Sequence, residues 1–222
     1  MATILLIGAS RGLGLGLAKE YLSRGWNVIA TARNPAQAPG LTELGGKLRI
    51  EKFDVTDPNA PAALRTALGD TKLQVLFVVA GQASTGYVPI HEVPPDVAAQ
   101  EFLTNSVAPP TVAEALLPLL APGGTVVFMT SRLGSLALSD GGMELYNASK
   151  AALNMLAIGF AKRHTDRRVL LMHPGWVRTE MGGENAPLDI ETSVRGMANV
   201  IDTHAKGTGI AYVDYTGAKI PW

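Results

Sequence analysis

The sequence predicts an α/β fold: one doubly wound sheet of seven parallel strands, with helices on both of its faces. Short apolar runs alternate with longer amphipathic segments, and several of the runs contain no polar residue, which is typical of strands that helices cover on both sides. The alternation itself implies parallel strands joined by right-handed crossovers. Finally, 222 residues, 47% of them hydrophobic and 17% charged, are enough to bury a three-layer domain.

The strands are expected where β-branched and apolar residues form short runs. These runs are Thr3–Ile7, Trp26–Thr31, Leu48–Phe53, Leu73–Val79, Thr125–Thr130, Arg168–Met172 and Ile210–Val213. The helices between them are expected at Leu13–Arg24, Asn59–Leu68, Asp96–Leu120, Glu144–His164 and Leu188–His204. The remaining stretches rich in Gly and Pro are of loop length, so residues 1–222 are interpreted as one domain.

Composition excludes several classes of function. Nineteen Lys and Arg balance nineteen Asp and Glu, so the chain lacks the basic excess that binds nucleic acid or an anionic membrane. The absence of Cys excludes disulfides, thiolate catalysis and zinc sites built on sulfur. The four His have no ligand spacing, so no metal is expected. Neither a signal peptide nor a spanning segment is recognisable, and we expect a cytoplasmic protein.

A cluster of glycines follows the first predicted strand directly and opens the first predicted helix. It reads Gly8-Ala-Ser-Arg-Gly-Leu-Gly14. Glycines at such a turn let the backbone approach a pyrophosphate, which then lies at the helix N-terminus. A purely structural turn is the alternative in a chain with 24 glycines, but the position between strand and helix favours dinucleotide binding. The expected contacts are Gly8, Ser10, Arg11, Gly12, Leu13 and Gly14.

Charge at the second strand indicates which dinucleotide binds. An NAD site has an acidic residue there, whereas the additional phosphate of NADP needs cations. The segment from Val28 to Arg33 contains no acid and ends on a cation, and the glycine turn contributes Arg11. NADP(H) is therefore predicted as the cofactor; the alternative is that both arginines are solvated surface residues.

Tyr146 and Lys150 are the most specific chemical signal in the sequence. Four residues apart on a helix, they share one face. A free phenol has a pKa of about 10, and an ammonium ion about 4 Å away would lower it by up to about 3 units. Such a pair suits proton exchange with a carbonyl or an alcohol. A second pair, Tyr215 and Lys219, encloses Gly217 and precedes Pro221, so no helix is expected to align it.

These motifs, in this order and over essentially the whole chain, resemble the short-chain dehydrogenase/reductase family, whose fold is the Rossmann fold. The resemblance implies that Ser131 orients and polarises the substrate carbonyl. It also implies that the backbone carbonyl of Asn105, freed by Pro109, holds a water that reaches the active lysine. The further cofactor contacts that it implies are Asp54, Val55, Ala80, Gly81, Tyr146, Lys150, Pro174, Gly175, Val177 and Thr179.

Two positions depart from the family pattern. Ile7 precedes the glycine turn where family members often have Thr, and Val78-Val79 stands where they commonly have Asn-Asn. Those asparagines brace the central strands, so bracing is expected to come from elsewhere. The small size and the C-terminal segment are similar to the small carbonyl-reductase or C-factor-like branch.

The function implied is an NADP(H)-dependent oxidoreductase that interconverts a carbonyl and its alcohol, with Tyr146 as proton donor or acceptor. The residues expected at the mouth are mostly apolar, which suits a ketone, aldehyde or quinone on an apolar body. They are Tyr87, Leu133, Leu136, Met143, Trp176, Met181 and Leu188. The segment Glu180–Ser193 is expected to be a mobile lid.

Two alternatives remain beside the reductase. One is a signalling or redox-sensing protein that keeps the nucleotide site, for which the altered Val78-Val79 is the support. The other is a sugar epimerase or dehydratase of the extended branch, which is disfavoured because no second substrate domain is recognisable. Low surface charge and the two long apolar helices, at 96–120 and 144–164, predict self-association, and the family resemblance implies a homodimer that pairs through these helices.

Overall fold

The computed structural model describes residues 2–205 and 207–222, and its seven strands form one fully parallel sheet. The strands are β1 Thr3–Ile7, β2 Asn27–Ala32, β3 Leu48–Lys52, β4 Leu73–Val78, β5 Leu120–Met129, β6 Arg168–His173 and β7 Gly209–Asp214. Their order across the sheet is β3-β2-β1-β4-β5-β6-β7. The predicted doubly wound fold is confirmed. The chain changes its direction of travel across the sheet between β1 and β4, where ligands bind in such folds.

Helices connect the strands. They are α1 Gly12–Ser23, α2 Pro39–Thr42, α3 Ala60–Leu68, α4 Pro95–Phe102, α5 Ala108–Leu116, α6 Glu144–Arg163 and α7 Ile190–His204. A π-helical segment, Leu103–Val107, joins α4 to α5. Short 3₁₀ turns lie at Pro35–Gln37, Ile90–Glu92, Leu117–Leu119, Arg132–Gly134 and Leu136–Leu138. No helix of the described ranges is both long enough and apolar enough to cross a membrane.

Alternating side chains along each strand divide the core into two layers. In β1, Ile4 and Leu6 belong to the cluster on one face, and Leu5 and Ile7 to the cluster on the other. Helices α1 and α7 cover the first face, and α3, α5 and α6 cover the second. Because both faces are covered, the central strands are apolar at most positions, which explains the long apolar runs in the sequence.

The boundaries of the predicted strands and helices agree with the structure within two residues, apart from one region, and the short helix α2 lies in a stretch interpreted as loop. The single helix predicted for Asp96–Leu120 is wrong: it is divided into α4, the π-helical segment, α5 and a 3₁₀ turn, and β5 already begins at Leu120. Pro109 and Pro110 have no N–H, so the Asn105 carbonyl lacks both the donor of an α-helix and that of a π-helix. The helix widens at this point and continues afterwards.

Candidate active site

A cleft of about 750 Å³ opens at the carboxyl edge of the sheet, above β1, β2, β4 and β5. Most of the cofactor-contact residues predicted from the sequence line it. They are Gly8, Ser10, Arg11, Gly12, Leu13, Gly14, Arg33, Asp54, Val55, Ala80, Gly81, Tyr146, Lys150, Pro174 and Thr179. The structure therefore brings together residues that lie up to 171 positions apart in the chain, at the edge where the topology places a ligand.

The glycine turn admits no side chain at its critical positions. Gly8 has a φ of +93°, and a Cβ there would lie 2.9 Å from Ala80. A Cβ on Gly14 would lie 2.1 Å from the Gly8 carbonyl oxygen. Within the described structure, no side chain caps α1 and its first turn contains no acid. The N-terminus of α1 thus presents open N–H donors and positive dipole charge to the cleft, which fits a pyrophosphate.

Cations lie on the side of the cleft where the second strand ends. Arg33 follows β2, beside Asp54. The backbone N–H of Thr56 holds the pKa of Asp54 below its usual value; burial acts in the opposite direction, while the Thr56 hydroxyl and Arg33 lower it further. Arg11 forms an exposed ion pair with Glu180, a residue that the sequence analysis assigned only to the lid. The two arginines place positive charge on this side of the cleft, and that of Arg11 is paired with Glu180.

Tyr146 and Lys150 project from the first turns of α6 into the same cleft. The Lys150 Nζ lies 5.7 Å from the centre of the Tyr146 ring and donates to the Met129 carbonyl at 3.1 Å. Burial raises the pKa of Tyr146 to about 12 and lowers that of Lys150 to about 8. The pKa of the phenol therefore moves in the opposite direction from the sequence-based expectation, because burial raises it, the hydrogen bond with Ser131 opposes this only in part, and the charges of Glu101 and Tyr212 raise it further.

Ser131 lies beside the phenol, at the end of β5. Its hydroxyl accepts a hydrogen bond from the Leu133 N–H at 3.2 Å and bonds with the Tyr146 side chain, which acts to lower the pKa of that tyrosine. Its carbonyl accepts a short hydrogen bond from the buried hydroxyl of Tyr212, on β7. Tyr212 thus holds the backbone of Ser131, a contact that sequence reasoning missed because nothing in the local pattern connects positions 81 residues apart.

Asn105 braces the loop after β4. Its Oδ1 accepts from the Gln82 N–H at 2.9 Å, and its Nδ2 donates to the Gln82 carbonyl at 2.7 Å and to the Ser149 hydroxyl at 3.0 Å. The side chain thereby provides part of the bracing that Val78-Val79 cannot provide. Sequence reasoning assigned a role to the backbone of Asn105 and missed the role of its amide.

Two of the predicted cofactor contacts lie outside the cleft lining. Gly175 has a φ of +85°, and a Cβ there would lie 2.8 Å from Leu188 and 3.1 Å from Tyr215. Val177 is buried and pairs with Leu188 in an isolated bridge. Both residues support the segment that carries Pro174 and Thr179 into the cleft, since their own side-chain positions face the protein interior.

The second Tyr–Lys pair and a partly buried histidine lie apart from the cleft lining. Tyr215 and Lys219 lie on the turn after β7, with no helix between them, as the sequence analysis expected. His173 ends β6; burial lowers its pKa to about 4, and its Nδ1 has no partner among the described residues. The described residues include no group of three or more metal-ligating side chains that could hold an ion.

Exposed apolar side chains cluster in the loops expected to form the mouth. Tyr87 is 80% exposed and Leu136 is 79% exposed, and Trp176 and Met181 are also exposed. The indole N–H of Trp176 donates to the Gly182 carbonyl at 2.8 Å, which holds the ring against the predicted lid. Large apolar side chains left in water in this way are typical of a surface that receives an apolar ligand.

Known proteins share this architecture. Residues 2–188 match the family model described as short chain dehydrogenase. A carbonyl reductase from Pseudomonas aeruginosa, crystallised in complex with NADP, is 39% identical over the whole of both chains, with a TM-score of 0.93. The 1-hydroxy-2-glutathionyl-2-methyl-3-butene dehydrogenase of a Rhodococcus species is 31% identical over the full length of both chains.

A further relative matches only part of this chain. The C-signal protein of Myxococcus xanthus is 43% identical over 132 residues, which cover 56% of this chain and 78% of that protein. The family match covers most of the chain, and the full-length structural relative shares its fold. The chain belongs to the short-chain dehydrogenase family.

Proposed function

We propose that the protein is an NADP(H)-dependent carbonyl reductase that interconverts a ketone, aldehyde or quinone on an apolar body with its alcohol. The observation that carries the proposal is that Tyr146 and Lys150 line the cleft that also contains the glycine turn, with Ser131 bonded to the Tyr146 side chain. The carbonyl reductase that matches this chain over its whole length was crystallised with NADP, which supports the choice of cofactor.

The residues of the cleft fit this cofactor along its whole length. The N–H groups at the start of α1 would hold the pyrophosphate, and Arg33 and Arg11 would hold the 2′-phosphate. Lys150 would bind the nicotinamide ribose, and Thr179 the carboxamide. When bound, the reduced cofactor supplies a hydride, with its electron pair, to the carbonyl carbon.

The chain supplies the proton and the electrostatic stabilisation. As the C–H bond forms, negative charge develops on the substrate oxygen, and the Tyr146 hydroxyl transfers its proton there. The Ser131 hydroxyl donates a hydrogen bond to the same oxygen. Lys150, as an ammonium ion, stabilises the phenolate that remains. A raised pKa keeps Tyr146 protonated at neutral pH, which is the state that a proton donor needs.

Turnover with a panel of carbonyls tests this proposal. NADPH oxidation, followed by the absorbance of NADPH, is expected with ketones, aldehydes or quinones that have an apolar body. The rate of oxidation is expected to fall when that body carries a charge. The proposal is contradicted if NADPH binds saturably but no member of the panel is reduced.

That contradicting result would favour a second candidate, a nucleotide-binding signalling protein. The observation in its favour is the 43% identity to the C-signal protein. Under this candidate the cleft keeps its affinity for NADPH while Tyr146→Phe changes neither binding nor any cellular response, since no proton is transferred.

We propose further that the protein is a homodimer. A surface groove of about 530 Å³ runs between α5 and α6, and exposed Val107, Met155 and Leu156 lie along it. Met155 is 68% exposed. Because α5 and α6 lie side by side, they form one face of the molecule. The same face of a second copy can pack against this face in an isologous contact.

A further inference from the structure

Two charged side chains are buried beside the proposed reaction centre. Among the described residues, Glu101 and Lys150 are the only buried Asp, Glu, Lys or Arg; they are 0% and 3% exposed. Glu101 lies in the last turn of α4 and Lys150 in the second turn of α6, and the two helices are in contact. Buried charges cost a large free energy unless they are compensated, so an opposite pair at one site needs an explanation.

Only one of the two carboxylate oxygens of Glu101 has a structural partner. Oε2 accepts a hydrogen bond from the Ser84 N–H at 2.7 Å, which fixes the loop after β4. Oε1 is fully buried and has no hydrogen-bond partner in the part of the chain that the structure describes. A side chain needed only to hold the loop would leave no such oxygen, because a neutral amide or hydroxyl could accept from Ser84 equally well.

A rigid segment lies between the carboxylate and the ammonium ion. Asn105, one helical turn beyond Glu101, holds Gln82 through two hydrogen bonds. The adjacent Gly81 is closely packed: a Cβ there would lie 3.2 Å from the Lys150 Nζ and 3.3 Å from the Asn105 Oδ1, so these side chains would have to shift. Glu101 and Asn105 therefore pin the backbone against which the Lys150 ammonium group rests.

We propose that Glu101 is a positioning residue of the reaction: its buried carboxylate is the fixed counter-charge that keeps Lys150 an ammonium ion inside the closed cleft. Glu101 is not part of the cleft lining, so it acts through Lys150 and does not touch the substrate. The inference rests on the proposed reductase function, in which that ammonium ion binds ribose and stabilises the phenolate.

The charges around Lys150 set the direction of the effect. Burial lowers the pKa of Lys150, and Glu101, the charged group that acts on it from the neighbouring described elements, opposes this shift. Tyr146 shares the helix of Lys150, and Tyr212 faces Tyr146 from β7. Glu101 also adds to the raised pKa of Tyr146, after the larger effect of burial. Removing the charge of Glu101 should therefore lower the pKa of Lys150 and that of Tyr146. Each of the two side chains would then lose its proton at a lower pH.

The test replaces the carboxylate with an amide that still accepts from Ser84. In Glu101→Gln, the NMR titration of the Lys150 side chain, assigned by its loss in Lys150→Met, is expected to move down by about one pH unit. The alkaline limb of NADPH-dependent reduction is expected to move in the same direction. Asp96→Asn, an exposed carboxylate of the same helix, is the matched control and should change neither.

An unchanged Lys150 titration in folded Glu101→Gln overturns the proposal. If that variant does not fold, Glu101→Asp and Glu101→Asn provide a second comparison, because their side chains are equal in size and differ in charge. Lys150 must then titrate at higher pH in the Asp variant than in the Asn variant. The titration needs no carbonyl turnover. If the Lys150 titration shifts in Glu101→Gln but the wild-type protein reduces no carbonyl, only the reductase function is contradicted. If the wild-type protein reduces carbonyls but the titration does not shift, only the role of Glu101 is contradicted.

Discussion

Burial raises the pKa of the Tyr146 phenol to about 12, and this pKa determines whether the side chain is protonated during the reaction. Below that pH it carries its proton, as a donor to a developing alkoxide must. In the oxidative direction the same residue has to release the proton first. On this basis we expect reduction to proceed over the whole neutral range and alcohol oxidation to become faster as the pH rises toward the pKa of Tyr146.

Arg33 tests the choice of cofactor at the scale of one residue. Removing its guanidinium should cost one charge-assisted hydrogen bond to the 2′-phosphate, about 1.5–3 kcal/mol, so the preference of Arg33→Ala for NADPH over NADH should fall about tenfold to a hundredfold. Titrations of both cofactors against both proteins measure it. A preference that survives the substitution unaltered contradicts the assignment of Arg33.

The residues that sequence analysis found and those that it missed differ in a physical way. Gly8, Tyr146 and Lys150 belong to local patterns whose spacing already implies a turn or a shared helix face. Glu101 and Tyr212 act across the fold, and no local pattern marks them. The pKa of Tyr146 could not be predicted either, because it depends on how completely the site excludes water.

At the scale of elements, the sequence predicted the helices and strands well wherever one period continued without interruption. It failed at the helix before β5, where apolar periodicity continues through Pro109 and Pro110 although the hydrogen-bond ladder cannot. The π-helical segment at this point displaces the following residues around the helix axis. Asn105 lies within this segment, so the wider turn affects how its side chain faces the loop after β4 relative to Glu101, which precedes the segment.

The start of α1 allows a prediction about packing. In Gly14→Ala the new methyl group would lie 2.1 Å from the Gly8 carbonyl oxygen, so the turn must move. We expect the free energy of unfolding to fall by about 1–3 kcal/mol, as overpacking usually costs, and NADPH affinity to fall with it.

Chemical denaturation and cofactor titration of Gly14→Ala measure both effects. Lys19→Ala, at an exposed position on the same helix, is the control and should stay within about 0.5 kcal/mol of the wild type. Equal stabilities for the two variants would mean that the turn is not closely packed.

For the whole molecule, two apolar layers around a parallel sheet leave one edge where loops from both halves of the chain meet. The positions of the glycine turn and of Tyr146 follow from that topology, which the alternation of strands and helices predicts. The mouth loops follow no such rule. Their exposed apolar side chains mark the surface whose substrate range the carbonyl panel would define.

The predicted dimer is also a property of the whole molecule. Met155→Asp would place a charge in the apolar groove between α5 and α6 and, by symmetry, opposite its copy in the partner. Sedimentation should give a dimer for the wild type and a monomer for this variant. Leu138→Asp, at an exposed apolar position outside the groove, is the control and should remain dimeric. A wild-type monomer at assay concentrations contradicts the prediction.

Turnover by Tyr146→Phe is the most direct measurement of the central claim, that the hydroxyl of this residue delivers the proton. The substitution keeps the ring and removes that hydroxyl, so NADPH binding should stay within a few-fold of the wild type. Carbonyl reduction should fall by about 10²–10⁴-fold, the usual contribution of a positioned proton donor. Reduction at the wild-type rate by the folded, NADPH-binding variant would contradict the account.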